Sequence, residues 1–189
     1  MVQFADGPDS AWGWRAAAAR VLLDNGREDK ARARALAEDI GSVPRDPIWL
    51  VSMFIWAQVC ARLGAGDRAE ELYGLLAPYA GQLAVAGQLV YESVDWALGE
   101  LSTSLERYED AERHFAPAVE IEARLGAPLS VARSRVGWAR ALVARGGPQD
   151  LDRAKQMLEQ AEETAERLDG GLVMREAAQC RAALAAISA

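Results

Sequence analysis

Histidine occurs once in this chain, at His114, and cysteine twice, at Cys60 and Cys180, so the side chains that usually hold a transition metal or drive nucleophilic chemistry are nearly missing. A histidine-based metal site or a Ser-His-Asp triad would have to rest on His114 alone, which lies between Arg113 and Phe115 and reads as a surface or boundary residue of a helix. The two cysteines are far apart, have no CxxC partner and fall on the apolar side of their helices, as reduced core thiols do. No uninterrupted apolar run reaches the roughly 18 residues that a membrane span needs. The start of the chain carries Asp6 and Asp9 where a signal peptide would be basic and then apolar, so the expected location is cytoplasmic. A phosphate loop of the form GxxxxGK(S/T) is absent: Gly64 and Gly66 precede Asp67 without the lysine and hydroxyl that a nucleotide needs. With a net charge of -7, the chain lacks the basic balance of a nucleic-acid surface. Strand-length runs of β-branched residues are scarce as well.

Alanine, leucine, arginine and glutamate dominate instead, and propensity and pattern predict helix nearly throughout. Breaks are expected at Asn25-Gly26, 41–47, Gly64-Ala65-Gly66-Asp67, 78–81, Gly126-Ala127-Pro128, Gly146-Gly147-Pro148 and Gly170-Gly171. Asp67, with Glu70 three positions later, and Asp150 are placed to cap helix starts. Pro117 falls inside a helix expected over 107–125 and predicts a kink there.

A pattern recurs four times: a pair ending in a small residue, a turn, then an alanine followed four positions later by a side chain that is usually larger. Its copies are Ala18-Ala19 with Ala31 and Ala35, Trp56-Ala57 with Ala69 and Tyr73, Leu98-Gly99 with Ala111 and Phe115, and Trp138-Ala139 with Ala154 and Leu158. The alanines at positions 31, 69, 111 and 154 are 38, 42 and 43 residues apart, which suits a helix pair repeated along the chain. Small residues let neighbouring helices approach closely, and the larger residue plugs the remaining gap. The expected fold is all-α, with antiparallel helix pairs stacked in a right-handed superhelix as a single domain over 1–189. Its repeats run over about 9–41, 47–80, 83–125 and 128–168, followed by a terminal helix over 171–187.

At these residues the chain resembles the tetratricopeptide family. Leu98-Gly99, Ala111, Phe115 and Ala118 follow that family's series in order and spacing, and Trp56-Ala57, Ala69 and Tyr73 follow it nearly as well. The spacing exceeds the family's usual 34 residues, which implies a divergent branch with longer helices or turns. More narrowly, RDPIWLVSMFIWAQVCARLGAGDRAEELYGLLAPYAGQ (45–82), ERYEDAERHFAPAVEIEARLGAP (106–128) and ARALVARGGPQDLDRAKQMLEQAEETAERL (139–168) are similar to the C-terminal repeat region of large actinobacterial regulators. Those regulators couple a signal-transducing ATPase to a nucleotide cyclase or a LuxR-type DNA-binding domain. The resemblance implies a sensor or scaffold arm without catalysis of its own.

Carboxylates at Glu109, Asp110, Glu112, Glu159, Glu162, Glu163 and Glu166 alternate with Arg107, Arg113, Lys155 and Arg167 as on a solvated helix face. Trp49, Trp56 and Trp138 fall where helix packing needs bulk. The remaining candidate site is the concave wall that the first helices of such an array line: Phe54, Gln58 and Arg62, then Trp96 and Glu100, then Arg133, Val136 and Arg140. Arginines along one wall of an acidic protein suit an acidic peptide or a small anion, with Phe54 and Trp96 as apolar anchors; the plainer reading is that they solubilise the wall or pair with Glu100. The expected partner is therefore a protein or peptide, with no cofactor, metal, nucleic acid or membrane. The alternatives are a small-molecule effector in the groove and a homodimer through the terminal helix, whose apolar Leu172, Val173, Ala177, Cys180, Leu184 and Ile187 have no following helix to cover them.

Overall fold

Glycine and proline punctuate the chain where expected, and helices fill the intervals. The computed structural model describes residues 12–188, so Asp6, Asp9 and the first residues of the 9–41 repeat lie outside the described residues. In order, the elements are α1 (Trp12–Asp24), α2 (Glu28–Ala37), α3 (Trp49–Leu63), α4 (Gly66–Leu76), β1 (Leu83–Ala86), β2 (Leu89–Ser93), α5 (Val94–Ser104), α6 (Tyr108–Arg124), α7 (Pro128–Arg145), α8 (Pro148–Arg167) and α9 (Gly171–Ser188). α6 runs through Pro117 without interruption.

Helix across 83–93 is the expectation that fails. β1 and β2 form an antiparallel hairpin, with Val85 opposite Val90 and Ala86 opposite Leu89. Only Gly87 and Gln88 join the strands. Gly87 takes φ 59, the left-handed first position that a two-residue hairpin turn requires. The caps also differ from expectation. Ala65 precedes α4, so Asp67 lies within its first turn and caps nothing. Asp150 lies within α8 and reaches back to the Gly147 N–H, which is half of a capping box. Ser93 does form a side-chain cap: its Oγ accepts the Trp96 N–H at 3.2 Å at the start of α5.

The chain gathers into two compact units, one ending at Leu105 and the other beginning at Glu106, a boundary that falls inside the 83–125 segment. In the first unit α3 is apolar on nearly all sides and is correspondingly the buried centre: α1, α2, α4 and α5 all pack on it. In the second unit α7 plays this part, packing on α6, α8 and α9. Its core joins Val136, Ala139 and Leu142 of α7, Ala154, Leu158 and Ala161 of α8, and Val173, Ala177, Cys180 and Leu184 of α9. Of the six apolar α9 residues named above, Val173, Ala177, Cys180 and Leu184 are therefore spent inside their own unit, and Leu172 and Ile187 are the two left exposed. The alanines of the repeated pattern, Ala57, Ala69, Ala111, Ala139 and Ala154 with Ala31 and Ala35, are all fully buried, as close helix approach demands.

Three contacts between first helices of neighbouring pairs follow the spacing of that pattern, whereas Glu112 of α6 meets Arg153 of α8 41 positions on and Leu36 of α2 meets Arg68 of α4 32 positions on. Asp24 at the end of α1 pairs with Arg62 at the end of α3, 38 positions on, at 2.6 Å. Phe54 of α3 meets Trp96 of α5, 42 positions on, with ring centroids 5.7 Å apart. Arg133 of α7 binds Glu176 of α9, 43 positions on. In the first unit the offsets of 38 and 42 equal the sequence spacings from Ala31 to Ala69 and from Ala69 to Ala111. In the second, 43 repeats the spacing from Ala111 to Ala154 and carries it into the terminal helix.

Candidate functional site

Five of the wall residues read from the sequence belong to the first unit. Phe54 is fully buried and contacts both Trp96 and Tyr91, the latter at 6.0 Å from the hairpin. Trp96, Gln58 and Glu100 are buried too. Tilted aromatic pairs at these separations contribute about 0.5–1.5 kcal/mol beyond their buried area, and here that energy joins α3, α5 and the hairpin. Arg62 differs: its side chain is 42% exposed, and its charge is shared with Asp24, which Arg20 also binds at 2.9 Å. Burial alone would raise the Asp24 carboxyl, but the hydrogen bond from Arg62 and the charge of Arg20 outweigh it and hold the group below its ordinary range.

The other three belong to the second unit. Val136 is buried in the core. Arg133 is buried and grips Glu176 with two parallel bonds, Nε to Oε2 at 3.1 Å and Nη2 to Oε1 at 3.2 Å. That is the fork geometry by which arginine holds a carboxylate, supplied here by the protein's own α9. Arg140 is half-buried.

A second charged constellation was not legible from local spacing. Arg145, at the end of α7, donates to Asp150 at 2.7 and 2.8 Å and to Glu112 of α6 at 2.8 Å, while Arg153 of α8 donates to the other oxygen of Glu112 at 2.6 Å. Arg153 also lies over the Trp138 ring, 5.6 Å from its centroid. The sequence reading assigned Glu112 to a solvated face of pairs within one helix; instead it ties three helices together. Desolvation pushes its carboxyl up, and the hydrogen bonds from Arg153 and Arg145 more than offset this, so it titrates below its ordinary range. Asp150 is lowered chiefly by its hydrogen bond from Arg145, and Arg145 is raised by the same contact. Each charge in the cluster is met by an opposite one, which makes it a fastening of α6, α7 and α8.

Neither cysteine is an activated thiol. Burial pushes the Cys60 thiol up to about 12, so at neutral pH it carries its proton and offers no thiolate. Cys180 is buried and shifted in the same direction for the same cause. His114 is half-buried on α6. Among the described residues no group of three or more His, Cys, Asp or Glu side chains is arranged to hold a metal ion, and no helix is long and apolar enough to cross a membrane. No protein-family model and no curated protein matches the chain in sequence.

Proposed function

We propose that this chain is a non-catalytic, tetratricopeptide-like interaction module that holds a peptide or protein segment against the wall lined by its first helices. The observation that carries the reading is the agreement between sequence period and contact offset: Asp24 with Arg62, Phe54 with Trp96, and Arg133 with Glu176 join helices two apart at 38, 42 and 43 positions. A helix-pair repeat stacked in register produces such contacts, because each copy sets its first helix beside the first helix of the next. Within the first unit buried Phe54 and Trp96 back this face and Arg62, paired with Asp24, is its exposed arginine; within the second, half-buried Arg140 holds the corresponding place. The resemblance to the repeat region of actinobacterial regulators adds a setting, that of a sensor or scaffold arm working in the cytoplasm.

The test is affinity capture of partners with wild type, with an Arg62→Ala/Arg140→Ala variant, and with Arg107→Ala as a control off the wall. Partners that the double variant loses and the control keeps would support the wall as the binding face. Identical partner sets for all three would contradict it.

A further inference from the structure

Two turns in the second unit repeat one another. Arg124-Leu125-Gly126-Ala127-Pro128-Leu129 joins α6 to α7, and Arg167-Leu168-Asp169-Gly170-Gly171-Leu172 joins α8 to α9, with arginine and both leucines recurring 43 positions apart. The fold brings the copies together. A Cβ built on Gly170 would lie 2.6 Å from Cδ2 of Leu129, so the first turn rests on the second. One helical turn further along α7 and α9, Arg133 is bonded to Glu176, which confirms the same alignment.

All four leucines face water there: Leu125 is 53% exposed, Leu129 37%, Leu168 41% and Leu172 40%. Together they expose an apolar area on the order of 300 Å², the scale at which a contiguous patch on a monomer is commonly functional. Three arginines, Arg124, Arg167 and Arg175, are exposed around the same turns, and the Arg175 guanidinium lies 3.7 Å from the Cβ position of Gly171. Elsewhere in this unit Arg133, Arg145, Arg153 and Arg181 are engaged by carboxylates. Arg124, Arg167 and Arg175 have no ion-pair partner among the described residues, although Glu166 and Asp169 are close to them in sequence. In a chain of net charge -7, this edge combines apolar surface with unclaimed positive charge.

We propose that this leucine-arginine edge docks a short acidic peptide carrying leucine-like side chains. The apolar side chains would cover Leu125, Leu129, Leu168 and Leu172, and the carboxylates would meet the three arginines. The area decides the size of the occupant, since a stable dimer or globular partner buries ~800 Å² on each side. This patch falls well short of that and suits a segment of few residues. The proposal uses a different surface from the first-helix wall and does not depend on it.

The full chain would be panned against a displayed library of random twelve-residue peptides, and the enriched peptides synthesised and titrated by fluorescence anisotropy. The expected peptides are acidic, bear leucine or isoleucine, and lose about tenfold or more in affinity for Leu125→Ser/Leu168→Ser and for Arg124→Glu/Arg167→Glu. The charge-reversed variant should in turn bind versions of the same peptides with lysine in place of glutamate. Arg62→Ala/Arg140→Ala should bind as wild type does, which separates this edge from the wall. If Leu125→Ser/Leu168→Ser melts early by circular dichroism, the charge-reversed variant, whose substitutions are both exposed, carries the test alone. The proposal is overturned if no acidic peptide is enriched, or if the enriched peptides bind the edge variants as tightly as wild type. It is equally overturned if sedimentation shows a dimer that the edge substitutions dissolve, since the occupant would then be a second copy.

Discussion

Ala111 shows how little room the helix crossings leave. It is fully buried on α6, as are Phe115 and Ala118 on the same helix, so three added carbons have nowhere to go without displacing a neighbour. Ala111→Leu should cost about 1–3 kcal/mol, whereas Glu163→Leu, at an exposed position of α8, should stay within about 0.5 kcal/mol. Urea denaturation of the two variants checks this, and equal midpoints would remove the packing role given to the repeated alanines. The Arg145 cluster makes a prediction about acid. Glu112 and Asp150 titrate below their ordinary values of 4.5 and 3.8 in the folded chain, so the unfolded chain takes up their protons first. The stability they contribute is complete above those ordinary values and disappears as pH falls through the lower folded ones. Arg145→Met should therefore be much less stable than wild type at neutral pH, with the gap shrinking as pH falls below about 4. Denaturation midpoints for both proteins across that range give the answer, and a gap that does not depend on pH would exclude the cluster as the cause.

At the scale of elements, the helices were legible because glycine and proline mark their ends and alanine marks their packing faces, both local signals. The hairpin was not. Leu83–Ala86 is short and carries two alanines, residues that favour helix, so propensity pointed the wrong way. The signal that was present is the two-residue Gly87-Gln88 link between apolar runs; in the fold β1 touches α3 and Tyr91 meets Phe54, while Val85, Leu89 and Val90 stay exposed. Gly87→Val places a β-branched side chain at φ 59 and should destabilise the first unit by about 1 kcal/mol or more. Loss of the near-ultraviolet circular dichroism of the Phe54, Tyr91 and Trp96 cluster before global melting would locate the damage. An unchanged spectrum and melt would show that the turn tolerates the substitution. The Arg145 cluster escaped a sequence reading for another reason: Glu112, Arg145 and Arg153 come from three helices, and no spacing along one helix encodes their meeting.

For the whole molecule, the sequence period does more than mark copies. Carried past Ala154, the same spacing makes Glu176, which Arg133 binds, its counterpart on α9, and makes Leu172 the counterpart of Leu129. The wall list could not show that Phe54, Trp96 and Val136 would be consumed by packing, because burial depends on what lies opposite. Nor did it foresee that Arg133 would find its carboxylate on α9. The central claim is that copies of one helix pair stack in register, so that residues one period apart touch. A double-mutant cycle on Arg133→Met and Glu176→Gln, measured by equilibrium urea unfolding, tests it most directly. The account predicts a coupling energy of about 1 kcal/mol or more. Additivity of the two substitutions to within about 0.3 kcal/mol would contradict it.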